Sequence, residues 1–530
     1  MSEATGRIPG QPRQSDPYDG ARAVLSVPKA HVKIVKSLLE SHKIFDRYHG
    51  ISPEPNDAKH AASNGQRMRV PTTIPCVQLA DGWSTTAERA QLLVGLQLHD
   101  ISPDITCSSW IPPETNSYRP VAASHNPLRK AVREALEALP SGTLASLNLT
   151  IDALVVRFPD SYSIYKPLLL LPSNSLGSDL SFIVLHHAGI FERVWDHIAD
   201  ALHCTHIALN SPIPPSNTPS SAHAGDEDNI LRSPVNLTPI YGTFGPSPTL
   251  QTLSAPSQKD FEDALWVHTT QNSVHQTWAP LYTMFSRGNV KEKARLLSLP
   301  SITSLAPSSS ASQTQEGATA VDMYAGIGYF SFSYRRAGLT RVLCWELNPW
   351  SVEGLRRGAA LNNWSGRVFT PADIPSPSST SGEWEAWRTN IIKGKEDFWI
   401  FAMSNETADR IVQCLRDYIP PVRHVNLGLL PVSRLSWPSA VRAVDRRLGG
   451  WVHAHENVGV VEMDERKVEV ETEFQRLTDE CADERRSVAG DAEGLKRKAQ
   501  VEHVEKVKTY APGVVHAVID VHIPGTQAAE

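Results

Sequence analysis

The apolar positions of the chain change their period along its length. Beyond residue 319, short apolar runs alternate with stretches whose apolar residues recur every three to four positions, the pattern of strands and helices in a doubly wound sheet. Strands are predicted at 342–346, 398–401, 424–430 and 451–455, together with the run that ends in Asp322. Helices are predicted at 329–337, from Pro349 onward with Val352, Leu355 and Ala359 on one face, and at 406–418 and 439–448. Gly338 suits a left-handed cap on the first helix, and Pro349 suits the first turn of the second. A helix at 462–489 mixes acids and bases four residues apart, as a solvated surface does. Segments 501–510 and 514–523, joined through Pro512-Gly513, predict a closing hairpin. The sum is an α/β fold with a seven-stranded, mostly parallel sheet and a reversed last strand.

Upstream the pattern is shorter and mixed. Val24-Leu25-Ser26-Val27-Pro28 precedes a helical stretch with Val32, Ile34, Val35, Leu38 and Leu39 apolar and Lys29, Lys33 and Lys36 opposite, which predicts a small basic α/β module over 1–60. Residues 61–150 read as an irregular linker region. An α+β accessory domain is expected over 151–260, with strands at 182–185 and 207–209 and a helix at 194–202. Two strands, 265–268 and 274–278, then form a hairpin that opens a domain running over 261–530. Stretches rich in proline and serine, at 211–224, 246–257, 306–315 and 371–382, read as flexible additions, and within the last domain they mark insertions near 301–317 and 374–396.

Composition narrows the class. Hydrophobic residues make up 41% and charged residues 20%, ordinary for a soluble globular chain. The formal net charge of −6 excludes a polycation, so any nucleic-acid surface is local. None of the six cysteines pairs at Cys-x-x-Cys spacing, and Cys344 falls inside a predicted buried strand, so neither a zinc knuckle nor a disulfide framework is expected. The first twenty residues lack an apolar signal core, and runs such as 398–403 are too short to span a bilayer. A cytoplasmic protein with no membrane partner is the expectation.

The chemistry concentrates in Val321-Asp322-Met323-Tyr324-Ala325-Gly326-Ile327-Gly328-Tyr329-Phe330, answered one βαβ step later by Cys344-Trp345-Glu346-Leu347-Asn348-Pro349. A strand ending in an acid, a turn with two glycines, a helix and a second strand ending in an acid describe a nucleotide-binding unit. Gly326 and Gly328 let the backbone pass close to a ligand. Asp322 is placed to accept hydrogen bonds around the ligand's amino-acid moiety, and Glu346 to take both ribose hydroxyls. The spacing is Asp-x-x-x-Gly-x-Gly, and no phosphate-gripping Lys-Ser/Thr follows, which favours S-adenosylmethionine over NAD or ATP. His453 and His455 share one face of a strand without a third ligand at matching spacing, so no metal is expected.

These motifs come in a family's order. Trp278-Ala279-Pro280, Thr283-Met284-Phe285-Ser286-Arg287-Gly288-Asn289, the Asp322 and Glu346 turns, His424-Val425-Asn426-Leu427-Gly428-Leu429-Leu430-Pro431 and Gly449-Gly450-Trp451-Val452-His453-Ala454-His455-Glu456-Asn457-Val458 all lie within 261–524. That region resembles the tRNA wybutosine-synthesising protein 2 family, which shares a fold with tRNA guanine-N1 methyltransferases of the anticodon loop. Upstream, 167–172, Arg232-Ser233-Pro234 and 241–246 are also similar to the family.

The resemblance implies a Rossmann-like class I methyltransferase fold and an S-adenosylmethionine-dependent tRNA aminocarboxypropyltransferase. Its substrate would be 4-demethylwyosine beside the anticodon of tRNA(Phe), reached through the anticodon stem-loop, in wybutosine biosynthesis, with no obligate protein partner and no metal. By the same resemblance Ser286 and Lys293 hold the cofactor's amino-acid end and Glu346 its ribose. Many relatives carry Asp-Asn near the adenine where this chain reads Met403-Ser404-Asn405-Glu406, so Asn405 is one candidate there and Asp373 a rival. The methyltransferase cousins carry Asn-Pro-Pro where this chain has Asn426-Leu427-Gly428, which argues against guanine methylation and leaves Asn426 as a base contact. Two other readings are a tRNA guanine-N1 methyltransferase and a non-catalytic tRNA-binding protein with a degenerate pocket. Arg434, Arg442, Arg446 and Arg447 around Trp437 form a basic segment with an aromatic, where an anticodon loop is expected to lie.

Overall fold

A computed structural model describes residues 22–41, 44–46, 51–54, 67–75, 104–110, 126–147, 149–172, 175, 188–210, 237–306, 317–489, 497–511 and 513–526. The chain forms two compact units, residues 1–123 and 124–530. The expected strand at 182–185, the Arg232-Ser233-Pro234 segment and the stretch at 211–224 lie outside the described residues.

In the first unit β1 (Arg22–Pro28), β2 (Ser52–Pro53), β3 (Arg67–Pro75) and β4 (Thr106–Trp110) form one antiparallel sheet in the order β2-β3-β1-β4. Leu25, Val27 and Val70 pack there against Val35 and Leu39, one turn apart on the helix Val32–Ser41. Lys33 stands on that helix's exposed side. Two of the four strands lie in the region read as an irregular linker. Their signal was weak because β3 carries Pro71 and Pro75 and β4 is mostly threonine, cysteine and serine.

The second unit begins with an accessory layer. β5 (Ser163–Tyr165), β6 (Leu168–Leu171), β7 (His206–Leu209) and β8 (Thr238–Tyr241) are ordered β5-β6-β7-β8. The helices Pro127–Glu137, Ile151–Arg157 and Ala188–Ala201 close its core through Leu128, Val132, Val155, Trp195 and Ile198. This layer therefore starts near residue 126 rather than 151. Asn126 caps the first helix by accepting from the N–H groups of Leu128 and Arg129, with Pro127 at the first helical position.

The hairpin β9 (Val267–Gln271) and β10 (Val274–Trp278) leads into the main sheet. Its strands are β11 (Thr319–Asp322), β12 (Arg341–Trp345), β13 (Gly366–Phe369), β14 (Phe398–Phe401), β15 (Val422–Leu427), β16 (Gly449–Gly459), β17 (Gln500–Ala511) and β18 (Val514–Pro524). They run in the order β13-β14-β12-β11-β15-β16-β18-β17, parallel as far as β16 and antiparallel thereafter. The fold is an open, mostly parallel α/β sheet. The sheet has eight strands where seven were expected. The extra one, β13, is a four-residue edge strand beside β14, too short to signal itself ahead of a proline-rich stretch. The insertion read at 374–396 is partly a helix, Ser381–Ile391, started by a capping box between Thr380 and Glu383 and anchored by Trp384 and Ile391. Val321, Leu343, Trp345, Trp399 and Phe401 fill one face of the sheet, and Ala320, Val342, Cys344 and Ile400 the other. Strands buried on both faces read as continuous apolar runs, which made these the most legible elements. Among the described residues, no helix is long and apolar enough to cross a membrane.

Candidate functional site

The carboxyl ends of β11, β12 and β15 converge where ligands bind in open α/β sheets. At the first of them Asp322 is 0% exposed. Its Oδ1 accepts from Asn426 Nδ2 at 2.9 Å, and its Oδ2 from Ser331 Oγ at 2.7 Å. Burial pushes its carboxyl up, while the hydrogen bonds from Asn426 and Ser331 oppose that shift. Both oxygens are engaged by protein, so Asp322 ties β11 to β15 and to the helix Ser331–Arg336. Asn426, expected at the substrate, is likewise buried: its Oδ1 accepts from His455 Nε2 at 3.2 Å, and His455 Nδ1 meets His516 Nε2 at 3.0 Å.

Glu346 lies at the rim. Its Oε2 accepts from the Gly326 N–H and its Oε1 from the Asn348 N–H, both at 2.8 Å. Asn348 in turn caps the helix Pro349–Leu361 through the Trp350 N–H at 2.9 Å. One carboxylate thus shapes two turns, and each oxygen keeps a lone pair for a hydroxyl. Burial raises its carboxyl above the usual range. Gly326 and Gly328 have φ of 56° and 86°. A Cβ at Gly326 would lie 2.8 Å from the Tyr329 ring, and one at Gly328 would lie 2.6 Å from Phe332. The glycines are needed for these rings to close on the turn, beyond any approach of a ligand.

The third part is a cradle of positive charge. Lys293, on the helix Val290–Ser298, is 4% exposed. Its Nζ donates to Gln271 Oε1 at 2.9 Å and Gln276 Oε1 at 2.6 Å, and lies 5.2 Å from the Phe285 ring centre and 5.0 Å from that of Tyr329. Among the described residues, no carboxylate pairs with it. Burial, with the Lys508 charge nearby, lowers its pKa to about 7. Among the described residues, Gln276 Nε2 is a buried donor without a partner. Ser286 makes no helix-capping bond. Its N–H donates to Tyr329 Oη at 3.2 Å, and its Oγ accepts from Lys508 Nζ at 3.3 Å. The helix that carries Lys293 is clamped to β18 by Arg295, which donates to Asp520 at 2.6 and 3.1 Å and to Glu292 at 2.7 and 2.8 Å.

Of the two adenine candidates, Asn405 is held against the turn after β11. Its Nδ2 donates to the Met323 carbonyl at 2.8 Å, and its Oδ1 accepts from Ser436 Oγ at 3.4 Å. Asp373 is not held there. It is exposed and accepts from the N–H and Oγ1 of Thr370, both at 2.7 Å, as a capping group.

With this geometry in place, the chain matches the family described as "TRM5/TYW2 methyltransferase domain" over residues 280–375. The segment holds Ser286, Lys293, both glycines and Glu346. A Schizosaccharomyces pombe tRNA wybutosine-synthesizing protein 2 is 34% identical over 71% of this chain and 75% of its own length. The chain belongs to the tRNA wybutosine-synthesizing protein 2 family. A second family member, from Saccharomyces cerevisiae, is 32% identical over 60% of each chain. Among solved structures, P. horikoshii TYW2 in complex with MeSAdo is similar at 18% identity and a TM-score of 0.42, over 75% of this chain and 100% of that one.

Two expectations drawn for this family member change in the structure. The basic segment after β15 offers no free aromatic: Trp437 is 1% exposed and stacks on Phe474, with ring centres 4.7 Å apart. Arg442 is spent on Glu484 at 3.0 Å and Asp409 at 3.7 Å, whereas Arg434 is exposed and only loosely paired with Glu469 at 3.9 Å. The missed residues are Gln271, Gln276 and Lys508. Gln276 had a usable signal, since it shares a strand face with Val274 and Trp278, and a polar residue on an otherwise buried face needs a partner.

Proposed function

We propose that this chain transfers the 3-amino-3-carboxypropyl group of S-adenosylmethionine to 4-demethylwyosine beside the anticodon of tRNA(Phe), a step of wybutosine biosynthesis. The family supports the reaction, and the observation that carries the cofactor reading is Lys293, a buried ammonium that meets two amide oxygens and two aromatic faces but, among the described residues, no protein anion. A cation so placed is stabilised by a bound carboxylate, which the amino-acid end of S-adenosylmethionine supplies. Glu346, across the Gly326 turn, has the lone pairs for the ribose hydroxyls, and Asn405 the position for the adenine. When bound, the sulfonium supplies an activated leaving group. The residues of the chain then bind and orient: Lys293 and Ser286 hold the amino-acid end, Tyr329 shields it from water, and the Asp322–Asn426 pair keeps the strand ends in register.

In this reading residues 261–530 are the transferase domain, the preceding residues help to hold the anticodon stem-loop, and the protein works in the cytoplasm. Asn426-Leu427-Gly428 in place of Asn-Pro-Pro favours this transfer over guanine methylation. The test is product analysis with tRNA bearing the tricyclic precursor. The expected products are methylthioadenosine and a base heavier by one aminocarboxypropyl group, with tRNA that carries ordinary guanosine beside the anticodon left unaltered. Release of S-adenosylhomocysteine with N1-methylguanosine would instead assign a methyltransferase.

A further inference from the structure

We propose that Lys508, on the closing hairpin, is a second cation for the carboxylate of S-adenosylmethionine, and that with Lys293 it fixes which carbon of the sulfonium faces the acceptor base. The proposal rests on the cofactor reading above and adds to it a positioning residue from a different part of the chain.

Lys508 stands on β17 opposite His516 of β18. Its side chain crosses to the loop before the helix Val290–Ser298, where Nζ donates to Ser286 Oγ at 3.3 Å. The stem lies across Gly288 so closely that a Cβ there would sit 2.7 Å from Lys508 Cδ and 3.0 Å from Nζ. Gly288 is therefore the residue that lets the ammonium reach the cradle. Both ammoniums border the Ser286–Tyr329 contact, Lys508 on the Ser286 hydroxyl and Lys293 over the ring of Tyr329, whose hydroxyl accepts from the Ser286 N–H. Burial lowers the Lys508 pKa, and its charge helps lower that of Lys293.

Nothing among the described residues neutralises them. The nearby acids are engaged elsewhere: Glu505 with Lys291 at 2.5 Å, and Glu292 and Asp520 with Arg295. The Lys291–Glu505 and Arg295–Asp520 pairs clasp the helix of Lys293 to the hairpin of Lys508, so the two elements are held together before any ligand arrives. Two partly buried like charges held together without an anion are costly, and a carboxylate between them removes the cost. The orphan donor Gln276 Nε2 beside Lys293 points the same way.

A single ammonium leaves a carboxylate free to pivot. Two, from separate elements, hold it by both oxygens and so restrict the chain of carbons that follows it, and an in-line transfer depends on that restriction.

The test uses the whole 530-residue chain with Lys508→Met, which keeps the stem and removes the charge. Calorimetry is run with S-adenosylmethionine and with methylthioadenosine, which has the same adenosine and sulfur but no amino-acid end. Affinity for S-adenosylmethionine should fall roughly ten- to hundredfold, the range for one charge-assisted hydrogen bond, with methylthioadenosine unaffected. Turnover at saturating cofactor should fall as well, and Lys508→Arg should recover most of both. Unchanged S-adenosylmethionine affinity overturns the proposal, as does an equal loss for both ligands, which would mark a structural role for the hairpin. A loss of tRNA affinity alone would assign the lysine to a phosphate and also overturn it. If the unsubstituted protein binds neither ligand, the cofactor reading itself fails, an outcome distinct from failure of Lys508 alone.

Discussion

The turn after β11 and the cradle around Lys293 share Tyr329, yet the two regions are built in opposite ways. In the turn, every charged or amide side chain finds a protein partner: Asp322 takes Asn426 and Ser331, Asn426 takes His455, and Glu346 takes two backbone N–H groups. In the cradle, among the described residues, two lysines meet only neutral acceptors and no anion, and the Gln276 Nε2 group has no acceptor. Satisfied polar networks define a shape, while unsatisfied charge defines an appetite for a ligand. The two regions should therefore respond to substitution with opposite signs in stability.

The largest effect should come from breaking the turn. Asp322→Ala leaves the Asn426 amide and the Ser331 hydroxyl buried and unpaired, and should lower unfolding free energy by about 3 kcal/mol in a denaturant titration. Lys293→Met should do the reverse, since it removes a buried charge with no counterion. Its expected signature is a gain in stability on the order of 2 kcal/mol together with a loss of S-adenosylmethionine binding of about 2.5 kcal/mol. A Lys293→Met protein that is destabilised as strongly as Asp322→Ala would erase the contrast between the regions. Glu346 spans both roles, and Glu346→Ala should weaken cofactor binding by about 2 kcal/mol in calorimetry while also loosening the Gly326 and Asn348 turns.

The same contrast predicts a dependence on pH. Lys293 titrates near 7 in the folded chain, whereas an unfolded lysine holds its proton to about 10.4. A bound carboxylate favours the charged ammonium, so S-adenosylmethionine affinity should be level below pH 7. Above it, affinity should fall by up to about tenfold per unit, because the free protein must first take up a proton. Methylthioadenosine, without the carboxylate, should show no such fall. For stability the sign is opposite. Between pH 7 and about 10.4 the unfolded chain binds the extra proton, so this residue's contribution to stability rises with pH across that window, and the rise should be missing in Lys293→Met.

How much of this was legible follows from how each region is encoded. The turn is one contiguous segment, and its Asp, two glycines and answering Glu346 sit at fixed spacings along a βαβ unit, so the sequence placed all of them. It did not show that Asp322 and Asn426 face each other, because the partners come from β11 and β15, roughly a hundred residues apart. The cradle draws on β9, β10, the loop at Ser286, a helix and the closing hairpin. Ser286 and Lys293 were reached through the family resemblance alone, and Lys508 was not reached. The β13 strand and the first-unit strands β3 and β4 were lost for a different reason, since short strands broken by proline and small polar residues carry little periodic signal.

The smallest expected effect tests where the RNA lies. The helix after β15 was expected to present a cluster of arginines around an aromatic. Trp437, however, is in the core against Phe474, and Arg442 is held by two carboxylates. Releasing Arg442 for a phosphate would break those pairs, and the gain from a phosphate would be offset by their loss. Arg434 is different: more than half exposed, loosely paired, and next to Leu435, which is 97% exposed. If the tRNA backbone crosses this face, Arg434→Gln should weaken binding by less than about 1 kcal/mol at physiological salt and reduce the slope of log affinity against log salt by about one. Arg442→Gln should leave that slope unchanged and register only as a small loss of thermal stability. The reverse result, with the slope moved by Arg442 and not by Arg434, would show that the ion pairs with Glu484 and Asp409 open on binding and would place the RNA on the side of the helix facing Asp409.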